Sequence, residues 1–453
     1  MGLLTLLTNI FAFEIIEYYF IISISVVFPA LFSDDMLPII APLAMTYSSV
    51  SIKSNDYRED TSLFSGSSKI NLIIIAAVIA TFVIGRLIFD LITNPERRKI
   101  RPELLAGYLF LFAGFMLAGL FSSYYEFKGI FYPLLVFSSI SIPYFILLYI
   151  IDWKKAHAEH FMWVMTTYGI AVSLEVIYMV IVTKSGSDMF ISWYGEMYTG
   201  WGMRNNIAGQ IALCAAAPMY LALKKKYPLA FLWMPVLMIG ACLLINSRGG
   251  SVTAALIFIS SLVIFLVKTN NRARIETGIL YGAFIVAGVV FALIKKDLFF
   301  DLFGRFFSYD LKDIDFSKLT EGRIDTWKHG ISHFGENELF GVGFYQCEDY
   351  IFGNFSTGFV PARYHNTLIQ LLAATGLFGF GAYVFHRCQT LMMTFKKPTM
   401  EKTFIFLSIA ALLISSLTDN HFFNIGPGLN YCIALAFIEG ECIKNHATEA
   451  QRN

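Results

Sequence analysis

The chain has 453 residues, of which 56% are hydrophobic, 16% aromatic and only 15% charged, with a mean hydropathy of +0.61. Soluble domains carry about 25% charged residues, so a deficit spread along the whole length excludes a water-soluble globular protein and points to a polytopic membrane protein. A net charge of +1 gives no electrostatic reason to expect a nucleic-acid partner.

A spanning helix needs about 20 mostly apolar residues. Candidate spans lie at roughly 10–32, 36–50, 70–94, 103–124, 131–151, 160–183, 205–223, 228–246, 250–268, 277–294, 364–386, 402–418 and 425–441. All should be helical, because lipid leaves no partner for open strand edges. No basic n-region precedes the first apolar run, so that run reads as a retained span. The segment 36–50 is short; merged with the first it gives twelve spans, the preferred number, and counted alone it gives thirteen. The expected fold is therefore an all-α polytopic membrane protein, with about 12 transmembrane helices and one long external loop containing short helices. Residues 1–294 form the N-terminal part of the bundle, 295–363 an external loop over the active site, and 364–453 the C-terminal helices and a short cytoplasmic tail. Six cysteines (Cys214, Cys242, Cys347, Cys388, Cys432 and Cys442) form no CxxC pair, and of these only Cys347 falls in the long loop, so neither a disulfide framework nor a zinc knuckle is indicated.

Basic residues collect at Arg97-Arg98-Lys99-Arg101, Lys154-Lys155, Lys224-Lys225-Lys226, Lys268 through Arg274, and Arg387 through Lys402. These segments alternate with loops lacking such excess, which places them in the cytoplasm. Arg204, Arg248, Arg323 and His365 then all belong to the opposite, outer face.

Arginine offers a planar fork of donors that fits phosphate oxygens and keeps its charge beside lipid. Several facing one site can hold a diphosphate and stabilise it as it leaves. A histidine can take a proton from an attacking hydroxyl near neutral pH, and Asn366 beside His365 can orient a sugar hydroxyl or amide. Each residue alone also fits a plainer role, an arginine snorkelling to headgroups or an ordinary interfacial histidine; it is the set on one face that points to chemistry. Within the loop, Lys296–Phe307 reads as an amphipathic surface segment. Arg323 opens a stretch in which Ile324, Trp327, Ile331 and Phe334 recur at helical spacing, which predicts a helix burying that face and aiming Arg323 inward. Asn337–Phe344 reads as a turn into an extended strip whose glycines permit close backbone approach.

Three motifs in order resemble the O-antigen ligase and O-antigen polymerase superfamily of bacterial membrane glycosyltransferases. They are Asn246-Ser247-Arg248-Gly249-Gly250; Gly322-Arg323-Ile324-Asp325-Thr326-Trp327 followed by Gly341-Val342-Gly343; and His365-Asn366-Thr367-Leu368-Ile369-Gln370 continuing to Gly376-Leu377-Phe378-Gly379. The resemblance covers about residues 200–385 by motif and the remainder by topology, and it fits ligase and polymerase alike. It implies an undecaprenyl-diphosphate-linked oligosaccharide donor, a saccharide or lipid-anchored acceptor, inversion at the anomeric carbon, no metal or other cofactor, and a bacterial inner-membrane protein with its site facing the periplasm. Carried over by position, Arg248 and Arg323 would bind the diphosphate and His365 would act as base or position the acceptor. Arg204 is added from topology, Arg363 is a further candidate phosphate contact, and Asp419 and His421 in Thr418-Asp419-Asn420-His421 are candidates to complete the pocket.

Other signals are weaker. Asp313-Ile314-Asp315 has the D-x-D pattern of metal-dependent transferases but sits in a polar stretch that fits a solvated loop. His329 and His333 have zinc spacing but lack a glutamate base and a third ligand. Arg86 and Asp90 are spaced to pair within one span. Glu14, Glu17 and Glu175 are intramembrane acids that fit a competing class, a flippase or transporter for a lipid-linked saccharide. A non-catalytic membrane scaffold whose loop binds a partner is the third reading.

Overall fold

The computed structural model describes residues 33, 35, 39–40, 81–122, 127–184, 198–199, 202–245, 247–297, 299, 323–343, 364–423 and 425–450. The spans expected at 10–32 and 36–50, the start of that at 70–94, and most of the loop 295–363 lie outside the described residues, as do Glu14, Glu17, Asp313, Asp315 and Arg363.

Residues 81–93 are helical. The α-helices of eight or more residues that follow are α1 (Leu105–Phe121), α2 (Phe127–Ile150), α3 (Ala158–Lys184), α4 (Arg204–Cys214), α5 (Ala217–Lys224), α6 (Met234–Leu244), α7 (Arg248–Lys268), α8 (Asn271–Ile294), α9 (Arg323–Glu336), α10 (Thr367–Phe395), α11 (Met400–Ser415) and α12 (Ile425–Ala450). Five helical segments among the described residues are long and apolar enough to cross a membrane: Ala158–Ile177, Asn205–Lys224, Arg248–Lys268, Asn271–Ile294 and Thr367–Phe395. The protein is thus an all-helical, multi-pass membrane protein. One small addition to the expected fold is an antiparallel pair of two-residue strands, Tyr198–Thr199 and Gly202–Met203, just before α4.

The core lies where α4, α7, α11 and α12 meet. Ile207, Ala208 and Ile211 of α4, Phe404 and Ile409 of α11, and Tyr431 to Ile438 of α12 are almost fully buried. α1 packs along α10, where a side chain on Gly114 would meet Ala382 and the bare Cα of Gly379 at 3.0 Å, so small residues set the close approach of these helices. α8 is apolar nearly all round and exposes Ile279, Ile285, Val286 and Leu293, as a lipid-facing helix does. One charge cluster inside the bundle is paired: Asp90 accepts from Arg86 at 2.9 Å, as their spacing implies, and from Arg97 at 2.6 Å.

The basic loop expected from Arg387 to Lys402 is shorter than its composition indicates. α10 continues to Phe395, and Thr399 caps α11 by accepting from the Lys402 amide. Arg387 is therefore inside the bundle, its guanidinium lying 4.4–4.6 Å from the ring centres of Tyr383, Phe422 and Tyr431. Aromatic faces replace water around the cation there. Lys402 is also buried, its ammonium donating to the Met393 and Lys396 carbonyls at 3.1 and 2.9 Å at the end of α10.

α10 is broken at Gly376, whose φ of 59° and ψ of −161° leave the helical region. The break frees carbonyls before it and amides after it, groups that are expensive to leave unpaired in a membrane protein. Residues 338–343 fill the gap. Val342 and Gly343 donate to the Ala373 and Ala374 carbonyls at 2.8 and 3.1 Å, and the Leu377 and Phe378 amides donate to Glu338 and Leu339 at 2.8 and 3.2 Å. Phe340 stacks on Phe378 at 5.3 Å and 12°. The extended strip read from the sequence is thus a plug in a membrane helix. A Cβ on Gly376 would lie 2.4 Å from the Leu339 carbonyl carbon, in addition to its positive φ. Gly376→Ala is expected to destabilise the protein by at least about 1–3 kcal/mol, lowering the thermal unfolding midpoint in detergent. Gly381→Ala on the same helix, where a Cβ meets nothing within 4 Å, should leave that midpoint unchanged or raise it.

Candidate active site

The turn joining α11 to α12, residues 416–422, touches Gly249, Arg323 and His365, one residue from each of the three motifs. Its first residues are held by the start of α10. Thr367 donates its amide to the Ser416 carbonyl at 2.9 Å, and the Asn366 carboxamide nitrogen donates to Leu417 at 3.1 Å. Asn366 is also the N-cap of α10, its oxygen accepting from Leu368 and Ile369 at 2.9 and 3.2 Å. These contacts hold His365 at a φ of +47°, a conformation that disfavours a residue with a Cβ and stores about 1–3 kcal/mol when imposed.

Beyond Leu417, the carbonyl of Thr418 accepts a hydrogen bond from the Arg323 guanidinium. The Thr418 side chain lies over Gly249, where a Cβ would come within 2.3 Å of its hydroxyl. Asp419 faces His365, with Oδ1 3.4 Å from Nδ1; the histidine side chain is 42% exposed and the aspartate 10%. His421 lies over Gly209 of α4, 2.9 Å from where a Cβ would sit. Ser247, N-cap of α7, donates its hydroxyl to the Asn205 carboxamide at 3.0 Å, joining the starts of α4 and α7.

Arg204 and Arg248 are the first residues of α4 and α7. The partial positive charge of a helix N-terminus disfavours a cation by up to about 1 kcal/mol and favours an anion, so helix stability does not account for arginine at these positions. Arg323 is the first described residue of α9. The opposite ends of these helices carry Lys224, which pairs with Glu401 at 2.9 Å, and Lys268. Arg204, Arg248, Arg323, His365, Asp419 and His421 therefore gather at one end of the bundle, and basic residues at the other.

α9 docks close to the expected stripe: Ile324, Trp327 and Phe334 are half-buried. Gly330 and His333 are buried while Ile331 is 59% exposed. Gly330 allows close approach to Ile369 and Tyr364, and His333 shares a hydrogen bond with the Tyr364 hydroxyl. His333 thus serves α9 docking, and no group of three His, Cys, Asp or Glu among the described residues is placed to hold a metal. Glu175 is buried in α3, away from the turn in sequence and within a span.

Burial alone would raise the Asp419 carboxyl, but the hydrogen bond from His365 and the charges of His421 and His365 outweigh it and hold the group well below the usual carboxylate range. Burial pushes His421 down, with Arg323 and His365 adding to the effect and Asp419 opposing it. Asp419 is thus an anion and His421 a neutral ring at neutral pH. Asn420 was not singled out as a site residue by sequence; it is fully buried, and among the described residues its carboxamide atoms and Nδ1 of His421 meet no hydrogen-bond partner. A polar Asp-Asn-His run closing an apolar hairpin is the only sequence signal for it.

Residues 233–384 match the family model described as O-antigen ligase, about a third of the chain. The match encloses Arg248, Arg323 and His365 and agrees with the superfamily that the three motifs resemble. A comparison with curated proteins returns no match.

The turn's contacts have measurable consequences. Gly249→Ala forces Thr418 aside and is expected to lower activity about tenfold or more through the displaced Arg323 and Asp419 contacts, while the thermal midpoint in detergent shifts by only a few degrees. Because the folded His421 binds its proton less readily than the unfolded chain, its contribution to stability is complete above the ordinary histidine value of about 6.5 and is lost as pH falls below it. Asp419 is ionised in folded and unfolded chains throughout that window, so it adds no slope. Thermal midpoints in detergent should fall between about pH 7 and about pH 5, and His421→Asn should flatten that dependence.

Proposed function

We propose that this protein transfers or polymerises a glycan from an undecaprenyl-diphosphate-linked donor onto an acceptor hydroxyl, at the outer face of the bacterial cytoplasmic membrane and within a bundle of about twelve spans. The observation that carries the reading is the meeting of Arg323, His365, Asp419 and the Arg248 motif on one turn.

With Nδ1 directed to Asp419, Nε2 of His365 is the nitrogen left to accept a proton. Asp419 is a positioning group; it fixes the ring and stabilises the imidazolium that forms, as a carboxylate does behind a catalytic histidine. The acceptor hydroxyl gives its proton to His365, and its oxygen attacks the anomeric carbon from the face opposite the diphosphate. The bond from that carbon to the phosphate oxygen breaks, and undecaprenyl diphosphate leaves with the electron pair. One displacement gives inversion. The charge that develops on the leaving group is met by Arg248 and Arg323, so the step requires no metal. Arg323 donates to the Thr418 carbonyl, which fixes its direction, and a guanidinium has further N–H donors for phosphate oxygens. Arg204 and Arg363 are the additional diphosphate contacts that the sequence implies. Asn366 is committed to capping α10 and tethering Leu417, and so maintains the backbone conformation of His365. Basic residues at the far end of the helices support an outward-facing site. Ligase and polymerase differ only in the acceptor offered to this geometry.

The test is transfer in detergent with EDTA, using purified protein, undecaprenyl-diphosphate oligosaccharide and candidate acceptors. Wild type should give product whose size separates single transfer from polymerisation. His365→Ala and Arg323→Ala should lower the rate by about 10²-fold or more, and Asp419→Asn should lower kcat with little change in donor KM. No product from wild type, together with movement of the lipid-linked donor across liposomes, would favour a flippase and overturn the reading.

A further inference from the structure

Beyond the Gly376 break, α10 carries Arg387 into the interior of the bundle, where it has no ion-pair partner among the described residues and none of its neighbours there is a carboxylate. Its guanidinium lies 4.6 Å from the Tyr383 ring centre, 4.5 Å from Phe422 and 4.4 Å from Tyr431. Two walls of this cage belong to rigid helices. Tyr431 of α12 is fixed by its hydroxyl, 3.0 Å from Nε2 of His386 and 3.4 Å from the Thr390 hydroxyl. Tyr383 is one turn back along α10, its ring edge-on to Phe422 at 5.2 Å. The third wall, Phe422, is the last residue of the turn that holds Thr418 and Asp419, and it is 1% exposed.

An unpaired cation is a poor way to fill apolar space, since a methionine or leucine would occupy it without the desolvation penalty. What the guanidinium adds over a hydrocarbon is a directional attraction for ring faces that strengthens away from water. The two ends of the turn are then both held by α10, the first through Thr367 and Asn366 ahead of the break and the last through Arg387 after it. Asp419 lies between these anchors.

We propose that Arg387 is a positioning residue, which by clamping Phe422 against Tyr383 and Tyr431 fixes the turn so that Asp419 meets His365. The inference rests on the reading of His365 as the base. Arg387 touches neither donor nor acceptor in this scheme; it sets the register of the residues that do.

The test compares Arg387→Met, which keeps volume without charge, Phe422→Leu, which removes the ring face, and Arg387→Lys, which keeps a cation for the rings. Asp419→Asn is the reference. Two readouts are taken on full-length protein in detergent: kcat and KM for transfer, and the rate at which diethyl pyrocarbonate modifies His365, followed by mass spectrometry of its peptide. Arg387→Met and Phe422→Leu should each lower kcat about tenfold or more with KM changed less than about twofold. Both should shift the His365 modification rate in the direction and to about the extent seen in Asp419→Asn, and Arg387→Lys should recover part of both effects. Folded Arg387→Met and Phe422→Leu proteins with wild-type kcat and wild-type His365 modification would overturn the proposal. Should Arg387→Met fail to fold, Phe422→Leu decides alone. Should wild type yield no transfer product, the glycosyl-transfer reading fails, and the modification rates decide the positioning role independently.

Discussion

A broken helix inside a membrane protein must find partners for the backbone groups its break exposes, and in α10 those partners come from a segment of the long loop. Four main-chain hydrogen bonds join residues 338–343 to the two sides of Gly376. At about 1 kcal/mol each they hold the segment by about 4 kcal/mol, and detachment would be a state populated about once in a thousand molecules. Much else follows from this junction. The break lets one helix present its start to His365 and the first residues of the turn, and its continuation to the last residue of the same turn. The docked loop fixes α9, and α9 carries Arg323 to the Thr418 carbonyl.

The electrostatics of the site run against the local preferences of its elements. Arginine opens α4 and α7, where the helix termini already carry partial positive charge. Asp419 is buried yet held as an anion by the residues around it, while His421 beside it is held neutral. A histidine occupies a backbone conformation more natural to glycine. Departures of this kind, concentrated at one end of the bundle, are what a site built for a charged reactant requires.

Much of this was legible in the sequence because lipid simplifies the reading. Apolar runs between 103 and 441 correspond to α1 to α8 and α10 to α12 to within a few residues, except that α10 runs on to Phe395 and α12 to Ala450, since only helices satisfy their backbones internally. The alternation of basic ends also assigns Arg248, Arg323 and His365 to one face of the membrane. Arg387 was misread for the same reason: a basic residue followed by more basic residues looks like a cytoplasmic loop, and nothing in composition reports an aromatic cage assembled from Tyr383, Phe422 and Tyr431. Gly376 was visible as a motif glycine but not as a break, because the strip that repairs it lies more than thirty residues earlier in the chain. The large apolar residues of α9 mark most of its docking stripe, Ile331 excepted, but not its two deepest positions, Gly330, which has no side chain, and His333, which meets a hydroxyl partner.

The segment that matches the O-antigen ligase family ends at residue 384, and the turn with Thr418, Asp419 and Phe422 lies past that boundary. A hybrid built by exchanging residues 233–384 between two such proteins would carry Arg248, Arg323 and His365 intact and still meet a foreign Asp419, a foreign Thr418 over Gly249 and a foreign clamp on Phe422. The heritable unit of this site is larger than its recognisable sequence, and grafts that respect it need to include α11, the turn and the start of α12.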